Sequence, residues 1–213
     1  MRVPTLIETI RVRAGLTPLL HLHVRRMSES CLALGVPFPT ELEWPKDTGV
    51  DHVHRWEVGR KGVVTTTRTV GSTDPVRLVT ARVVHRPYPH KTTDREVFDA
   101  ALVEARSAEA DDALLLTARG EVAECAVWAL LWWEGDRLAG PAAAVGVLRS
   151  VARMRLGELA GEVVERVVQR RELEGRALVV ANAVRGLVAV EQLDGREIPQ
   201  HPDTPHLAER FWS

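Results

Sequence analysis

This chain of 213 residues contains little cysteine and few aromatic residues, and neither sign of charge predominates. Its two cysteines, Cys31 and Cys125, have neither the spacing of a zinc site nor the number that a disulfide scaffold needs. A formal net charge of -1 excludes a bulk positive field that would recruit nucleic acid or an anionic membrane. No apolar run approaches the ~20 residues of a membrane-spanning helix, and the first residues do not resemble a signal peptide. We therefore predict a cytoplasmic, globular protein with no nucleic-acid or membrane partner.

The chain also lacks several common site motifs. It has no glycine-rich phosphate loop of the Walker type and no nucleophile elbow of the serine hydrolases. Two histidine pairs, His21 with His23 and His52 with His54, could each offer two metal ligands. No cluster of cysteine or carboxylate residues completes a site beside either pair, so we predict no metal centre.

Lysine is scarce, and this makes each lysine informative. Of the 28 lysine and arginine residues only three are lysine, namely Lys46, Lys61 and Lys91. Arginine stays protonated, so only a lysine can supply an amine nucleophile. Lys46 and Lys61 lie in turn-rich segments, where we interpret them as solvent-exposed. Lys91 follows a rigid segment that contains Pro87 and Pro89, and it precedes a predicted helix, so it is the candidate reactive amine.

Apolar spacing predicts a mixed organisation of strands and helices in the first part of the chain. Residues 6–12 form a predicted strand, and apolar residues at spacings of three and four predict an amphipathic helix over residues 20–34 that ends at Gly35. Alternating segments at 54–58, 63–70 and 76–85 are typical of antiparallel strands in a meander. The proline-rich segment 86–90 is the predicted domain boundary.

The second part of the chain is also predicted to contain both helices and strands. Thr93 or Asp94 is the predicted N-cap of a helix that runs to about residue 108, and Ser150 that of a helix to about residue 159. The remaining predictions are strands at 112–118, 122–133, 163–169 and 177–181, an apolar segment at 184–190, and a polar tail from residue 192.

Five short motifs lie along the chain: ETIR at 8–11, HVRRM at 23–27, HKTTDR at 90–95, GEVAE at 120–124 and NAVRG at 182–186. Together they resemble the fold-type IV pyridoxal-phosphate enzymes, which include branched-chain and D-amino-acid aminotransferases and 4-amino-4-deoxychorismate lyases. The sequence HKTTDR at 90–95 most resembles the lyase branch. The resemblance implies an α/β (α+β) fold with a small N-terminal α+β domain at 1–86 and a larger C-terminal domain at 87–213. It further implies a mixed, barrel-like sheet in the larger domain, a cofactor in the cleft between the two, and a homodimer.

The same resemblance implies pyridoxal 5'-phosphate as the cofactor and assigns two roles that the chemistry requires. Lys91 is the residue that forms the Schiff base with the cofactor aldehyde and then moves a proton at the substrate. Glu124 pairs with the protonated pyridine nitrogen, because a carboxylate there stabilises that proton. The alternatives are a surface lysine near a helix start and a solvent-facing glutamate on an edge strand.

Phosphate binding requires a cation and backbone N–H groups at a helix start. The resemblance assigns this role to Arg26, Ser150, Val151, Ala152, Ala183 and Val184. In a chain with many arginines, Arg26 could also occupy its position by chance. Arg185 is a candidate for binding a substrate carboxylate on its chemistry alone.

The predicted function is that of a pyridoxal-phosphate enzyme like 4-amino-4-deoxychorismate lyase, which eliminates pyruvate from an amine substrate and leaves 4-aminobenzoate. One alternative is a class IV amino-acid aminotransferase of the branched-chain or D-amino-acid type. Another is a degenerate homologue that binds a ligand or partner without catalysis. The degenerate alternative follows from Ala126, Ala129 and Ala152, which stand where the family usually has threonine, asparagine and threonine.

Overall fold

A computed structural model describes residues 5–72 and 74–213 of the chain. The chain folds into two compact units. The N-terminal unit comprises Met1–Ser72, His90–Asp94 and Ala183–Arg185, and the C-terminal unit comprises Thr73–Pro89, Arg95–Asn182 and Gly186–Ser213. Within the described residues there are twelve strands and four α-helices. None of the helices in these ranges is long and apolar enough to cross a membrane.

The N-terminal unit is a three-stranded antiparallel sheet with one helix. Its strands are β1 (Leu6–Val12), β2 (His52–Gly59) and β3 (Gly62–Arg68), in that spatial order, and its helix is α1 (Leu20–Leu34). The predicted limits of α1 are confirmed, because Gly35 adopts the left-handed conformation (φ 61°) and its N–H donates to the last carbonyls of the helix. The helix buries Met27 and Cys31 in a core that also contains Ile10 and Trp56.

The C-terminal unit is built on a nine-stranded mixed sheet. The spatial order is β6, β5, β4, β11, β10, β7, β8 and β9, with β12 paired to β11, and the pairs β4/β5, β4/β11 and β8/β9 are parallel. The bounds of its elements are β4 (Val76–Val84), α2 (Glu96–Ser107), β5 (Asp112–Leu116), β6 (Val122–Cys125), β7 (Ala129–Glu134), β8 (Arg137–Pro141), α3 (Val151–Ala160), β9 (Val164–Arg166), β10 (Leu178–Asn182), β11 (Gly186–Leu193), β12 (Arg196–Glu197) and α4 (Thr204–Arg210).

This sheet curls back toward its own first strand. The N–H of Val122, at the start of β6, donates to the carbonyl of Val168, just beyond β9, at 2.9 Å. An isolated bridge joins Glu121 and Gln169 at the same place. Leu114, Trp132 and Val180 are fully buried in the core of this sheet. The predicted α/β fold with a mixed, barrel-like sheet is therefore confirmed.

The sequence predicted that β4 belongs to the N-terminal meander. The strand lies instead in the C-terminal sheet, between β5 and β11. Its apolar residues Val76 and Leu78 are buried in that core. Alternation of apolar and polar residues predicts that a segment is a strand, but it does not predict which strands pair with it. The prediction of a strand was therefore right, and the predicted pairing was wrong. The units accordingly differ from a division after residue 86, since residues 73–89 belong to the C-terminal unit and residues 90–94 to the N-terminal unit.

Three other predicted elements also differ. The predicted strand at 122–133 is two strands, β6 and β7, separated by a bend at residues 126–128. The N-cap of α2 is Arg95 rather than Thr93 or Asp94, and no side chain caps it. The predicted polar tail contains β12 and α4, and Phe211 at its end is fully buried. A single aromatic residue produces no apolar periodicity in the sequence, so the burial of Phe211 could not be predicted.

Candidate functional site

The backbone around Lys91 is fixed against β1. The N–H of Ile7 donates to the carbonyl of Lys91 at 2.8 Å, and the N–H of Thr93 donates to the carbonyl of Thr5 at 2.9 Å. Leu6 and Thr92 form an antiparallel bridge, and the Thr92 side chain is buried. Because successive side chains of an extended segment point to opposite faces, Lys91 projects away from the buried Thr92. The amine is therefore carried by a rigid segment, and the Lys91 residue is partly buried.

A buried cluster of three charged or polar side chains lies in the same unit: Glu8 on β1 with His23 and Arg26 on α1. Arg26 Nε donates to Glu8 Oε1 at 2.9 Å, and Arg26 Nη2 donates to Oε2 at 2.6 Å. His23 Nδ1 contacts the same Oε2 at 2.5 Å. All three residues are less than 5% exposed. Both carboxylate oxygens of Glu8 are thus occupied, and Arg26 commits two of its donors to them.

The electrostatics of this cluster place the charge of Lys91 near it. Burial alone would raise the pKa of Glu8, but the Arg26 guanidinium and the hydrogen bond from His23 lower it to about 2. Burial lowers the pKa of His23, and the charges of Arg26 and Lys91 lower it further against the raising effect of Glu8. His23 Nε2 is buried and has no hydrogen-bond partner within the described residues. Neutral His23 with its proton on Nδ1 satisfies these constraints.

The turn between β10 and β11 belongs to the N-terminal unit as well. It consists of Ala183, Val184 and Arg185, all partly buried. Arg11 on β1 donates from Nη1 to the carbonyl of Val184 at 3.2 Å and forms an ion pair with Asp51. Strand β1 therefore supports two predicted site segments, with Lys91 bonded at Ile7 and the 183–185 turn bonded at Arg11.

In the C-terminal unit, Glu124 is buried on β6 and is held through one of its two oxygens. Oε1 accepts from His85 Nε2 at 3.0 Å and from the N–H of Leu148 at 3.0 Å. Oε2 accepts no hydrogen bond from the residues within 5–72 and 74–213. Glu124 is buried, so the alternative of a solvent-facing glutamate does not describe this residue, and its Oε2 can accept from a further donor.

The chain bends directly after Glu124. Arg95 Nη2 donates to the carbonyl of Ala126 at 2.7 Å, and the N–H of Val127 donates to Asp112 Oδ2 at 3.0 Å. The bend is thus bonded to side chains of two other segments. Burial raises the pKa of the adjacent Cys125 thiol well above its usual value, with further raising by the charges of Asp112 and Glu124. This thiol stays protonated and does not compete with an amine for an aldehyde.

The start of α3 has the features of an anion-binding helix terminus. Ser150 is the N-cap, and its hydroxyl oxygen accepts from the N–H of Arg153. Val151 and Ala152 are buried, and their backbone N–H groups donate to no acceptor in the described part of the chain. Free N–H groups and the helix dipole favour a phosphate at such a place. Leu148, which bonds Glu124, precedes Ser150 by only two residues, so α3 begins close to Glu124.

The predicted site residues thus fall into two sets. Lys91, Arg26 and the 183–185 turn lie in the N-terminal unit, and Glu124 and residues 150–152 lie in the C-terminal unit. The structure brings Glu124 together with the start of α3, and it hydrogen-bonds both Lys91 and the turn to strand β1.

These groups fit pyridoxal phosphate on observations of the molecule itself. In the C-terminal unit, a buried carboxylate with one oxygen free of hydrogen bonds and a helix terminus with free N–H groups are of the kinds that match the ring nitrogen and the phosphate of that cofactor. In the N-terminal unit, Lys91 supplies an amine of the kind that matches its aldehyde.

Two residues that the sequence analysis did not select contribute to the geometry: Glu8, which holds Arg26, and His85, which holds Glu124. Glu8 lies inside one of the five motifs and so had a signal. His85 follows an ordinary apolar strand, and its contact with Glu124 spans 39 residues of sequence, so no local pattern marks it.

Comparison with known proteins gives one family match. Residues 62–193 match the family model of class IV aminotransferases. No curated protein matches the chain.

Solved structures match nearly the whole chain. A candidate 4-amino-4-deoxychorismate lyase from Legionella pneumophila is 22% identical, with a TM-score of 0.81 over 96% of this chain and 88% of that one. A branched-chain aminotransferase from Thermoproteus uzoniensis, solved with norvaline, is 18% identical, with a TM-score of 0.83 over 98% and 84%. A hypothetical aminotransferase from Mycobacterium tuberculosis in its PLP-bound form is 20% identical, with a TM-score of 0.84 over 99% and 88%. At these identities the likeness establishes the fold.

Proposed function

Because this chain belongs to the class IV aminotransferase family, we propose that it is a pyridoxal-phosphate enzyme that eliminates pyruvate from 4-amino-4-deoxychorismate and leaves 4-aminobenzoate. Enzymes of this family are pyridoxal-phosphate dependent, so the predictions of an enzyme and of this cofactor are confirmed. The choice of the lyase reaction is our proposal. It is supported by the sequence HKTTDR around Lys91, which resembles the lyase branch.

The observation that carries the catalytic part of the proposal is the setting of Lys91. Its backbone is bonded to β1 on one side, and its charge is near the buried Glu8, His23 and Arg26 cluster. Loss of water favours the neutral, nucleophilic form of an amine, and Lys91 is partly buried. Of the three lysines, Lys46 is 77% exposed in its side chain and Lys61 lies in an exposed turn.

When bound, pyridoxal phosphate supplies an electron sink for a carbanion at the substrate. Lys91 would hold the cofactor through its amine and would move a proton at the substrate carbon. Glu124 stabilises a proton on the ring nitrogen through its unfilled Oε2.

Anions are held by two groups of residues in this proposal. The N–H groups of Val151 and Ala152 and the hydroxyl of Ser150 bind phosphate, with Arg26, Ala183 and Val184 as further contacts. Arg185 binds a substrate carboxylate, because a guanidinium can donate two parallel hydrogen bonds to it.

A second candidate function is amino-acid transamination, which uses the same residues. The likeness to the aminotransferases of T. uzoniensis and M. tuberculosis favours it, since their TM-scores are as high as that of the candidate lyase. The two reactions differ in what they consume. The lyase needs one substrate and yields pyruvate, whereas an aminotransferase needs a keto acid as second substrate.

The test compares the wild-type chain with Lys91→Ala and with Lys61→Ala as the matched lysine control. Purified protein loaded with pyridoxal phosphate is given 4-amino-4-deoxychorismate, and pyruvate and 4-aminobenzoate are measured. We expect wild type and Lys61→Ala each to release pyruvate and 4-aminobenzoate in a one-to-one ratio. We expect Lys91→Ala to release neither product. Keto-acid-dependent turnover without an aryl amine product would establish the aminotransferase instead. A chain that binds no cofactor would favour the degenerate homologue.

We further propose a homodimer in the cytoplasm. The resemblance supports the dimer, and the free thiols of Cys31 and Cys125 are compatible with a reducing compartment. Light scattering of the purified chain tests the first statement, and fractionation of cells that produce it tests the second.

A further inference from the structure

We infer that His85 is a positioning residue, which fixes the Glu124 carboxylate so that its Oε2 is presented to the ring nitrogen of the cofactor. The inference rests on the proposed function, since Glu124 belongs to the proposed cofactor site. It goes beyond that function by naming the group that orients Glu124.

The ring of His85 has little freedom to move. His85 follows the last residue of β4, and its backbone N–H donates to the carbonyl of Leu116 at 2.8 Å. Its side chain is fully buried. The ring of Phe98 packs edge-on against it with centroids 6.2 Å apart, and Tyr88 packs against Phe98 in turn at 4.7 Å. The Nε2 atom is therefore held where it meets Glu124.

The hydrogen-bond pattern identifies the tautomer. His85 Nδ1 is buried and has no hydrogen-bond partner among residues 5–72 and 74–213, whereas Nε2 lies 3.0 Å from Glu124 Oε1. A proton on Nδ1 would be buried without an acceptor, so the proton is on Nε2 and is donated to Glu124. A neutral donor holds the carboxylate without cancelling its charge, so that charge is kept for the cofactor.

The two donors to Glu124 converge on one oxygen. His85 Nε2 and the N–H of Leu148 both bind Oε1. A carboxylate held at one oxygen by two donors from separate segments has a fixed plane, and the direction of its other oxygen is fixed with it. His85 therefore acts on the cofactor through Glu124 and not by contact.

The test uses His85→Leu, His85→Gln and the control His54→Leu. Leucine removes the donor, and the glutamine amide can restore a donor near Nε2. His54 is a buried histidine of the N-terminal unit whose Nε2 bonds the carbonyl of Glu43 at 2.9 Å. Three quantities are measured: unfolding of the cofactor-free protein, the Kd for pyridoxal phosphate, and NMR of cofactor labelled with a heavy isotope at the ring nitrogen.

We expect His85→Leu to weaken cofactor binding about tenfold and to lose protonation of the ring nitrogen, because an unpositioned Glu124 no longer stabilises that proton. His85→Gln should keep the protonated signal, and His54→Leu should bind cofactor like wild type. A protonated ring nitrogen and unchanged Kd in His85→Leu would overturn the inference alone. If His85→Leu unfolds, His85→Phe, which also removes the donor, takes its place, and a protonated ring nitrogen with an unchanged Kd in that variant would overturn the inference. Failure of wild type to attach the cofactor to Lys91 would overturn the proposed function and the inference with it.

Discussion

Each unit of this protein buries one glutamate beside a histidine, and the two arrangements differ in how the carboxylate oxygens are bound. Glu8 of the N-terminal unit has both oxygens bound, by Arg26 and His23. Glu124 of the C-terminal unit has both of its donors, His85 and Leu148, on one oxygen. A carboxylate that is fully bonded by the protein stabilises the fold, whereas one with an open oxygen is available to a ligand. Burial alone therefore does not distinguish the two carboxylates, but the number of hydrogen bonds on each of their oxygens does.

The largest effect that separates the two glutamates concerns Arg26. Arg26→Leu leaves the charge of Glu8 buried without its cation, so we expect the free energy of unfolding of the cofactor-free protein to fall by about 3–5 kcal/mol. Arg25→Leu is the matched control, because Arg25 is the neighbouring arginine on α1 and its pair with Glu29 is exposed. Its expected effect is below about 1 kcal/mol. Urea denaturation measures both, and equal losses would contradict the structural role of Arg26.

The second effect is the acid sensitivity of the Glu8 cluster. The folded-state pKa of Glu8 is lowered to about 2, from 4.5 in the absence of partners, so its contribution is present above pH 4.5 and is lost as the pH falls toward 2. The lowered pKa of His23 acts in the same direction, because the unfolded chain takes up its proton first as the pH falls below 6.5. We expect the Glu8 part to amount to roughly 3 kcal/mol of unfolding free energy. NMR titration of the Glu8 carboxyl checks this, and a midpoint near 4.5 in the folded protein would contradict it.

The third effect concerns the loop that brings Leu148 to Glu124. Gly146 has φ +84°, and an added Cβ would lie 2.8 Å from Cβ and 2.9 Å from Cα of Pro87. Gly146→Ala should therefore lower the free energy of unfolding by about 1–3 kcal/mol. The control is Gly157→Ala, where the helical position is open, and we expect a gain of up to about 1 kcal/mol. Thermal denaturation of both variants measures the difference, and a neutral Gly146→Ala would show that this loop is not tight.

The smallest expected effect on stability is that of Glu124→Gln. Among residues 5–72 and 74–213, the partners of Glu124 are the His85 ring and a backbone N–H, and none is an arginine or lysine that the substitution would leave buried and unpaired. We therefore expect the free energy of unfolding of the cofactor-free protein to change by less than about 1 kcal/mol. Protonation of the cofactor ring should be lost in the same variant. A loss of stability as large as that of Arg26→Leu would remove the distinction between the two glutamates.

Elements that depend on contacts between residues close in sequence were predicted correctly. Strand β1 and helix α1 have the predicted limits, because alternation, three-and-four spacing and the left-handed Gly35 act within a few residues. The resemblance carried by five motifs indicated the family and the cofactor.

The rest depends on contacts between distant segments. Strand β4 pairs with β5 and β11, and its own alternation does not encode those partners. The strand predicted at 122–133 breaks because Arg95 and Asp112 bind the bend at residues 126–128. His85 was missed for the same reason, since only the fold brings it to Glu124.

The proposed role of Lys91 is tested by locating the lysine to which the cofactor attaches. The wild-type chain is incubated with pyridoxal phosphate and reduced with borohydride, and its peptides are then weighed by mass spectrometry. We predict that the reduced cofactor is found on the peptide that contains Lys91 and not on those of Lys46 or Lys61. Equal labelling of the three lysines, or none on Lys91, would contradict it.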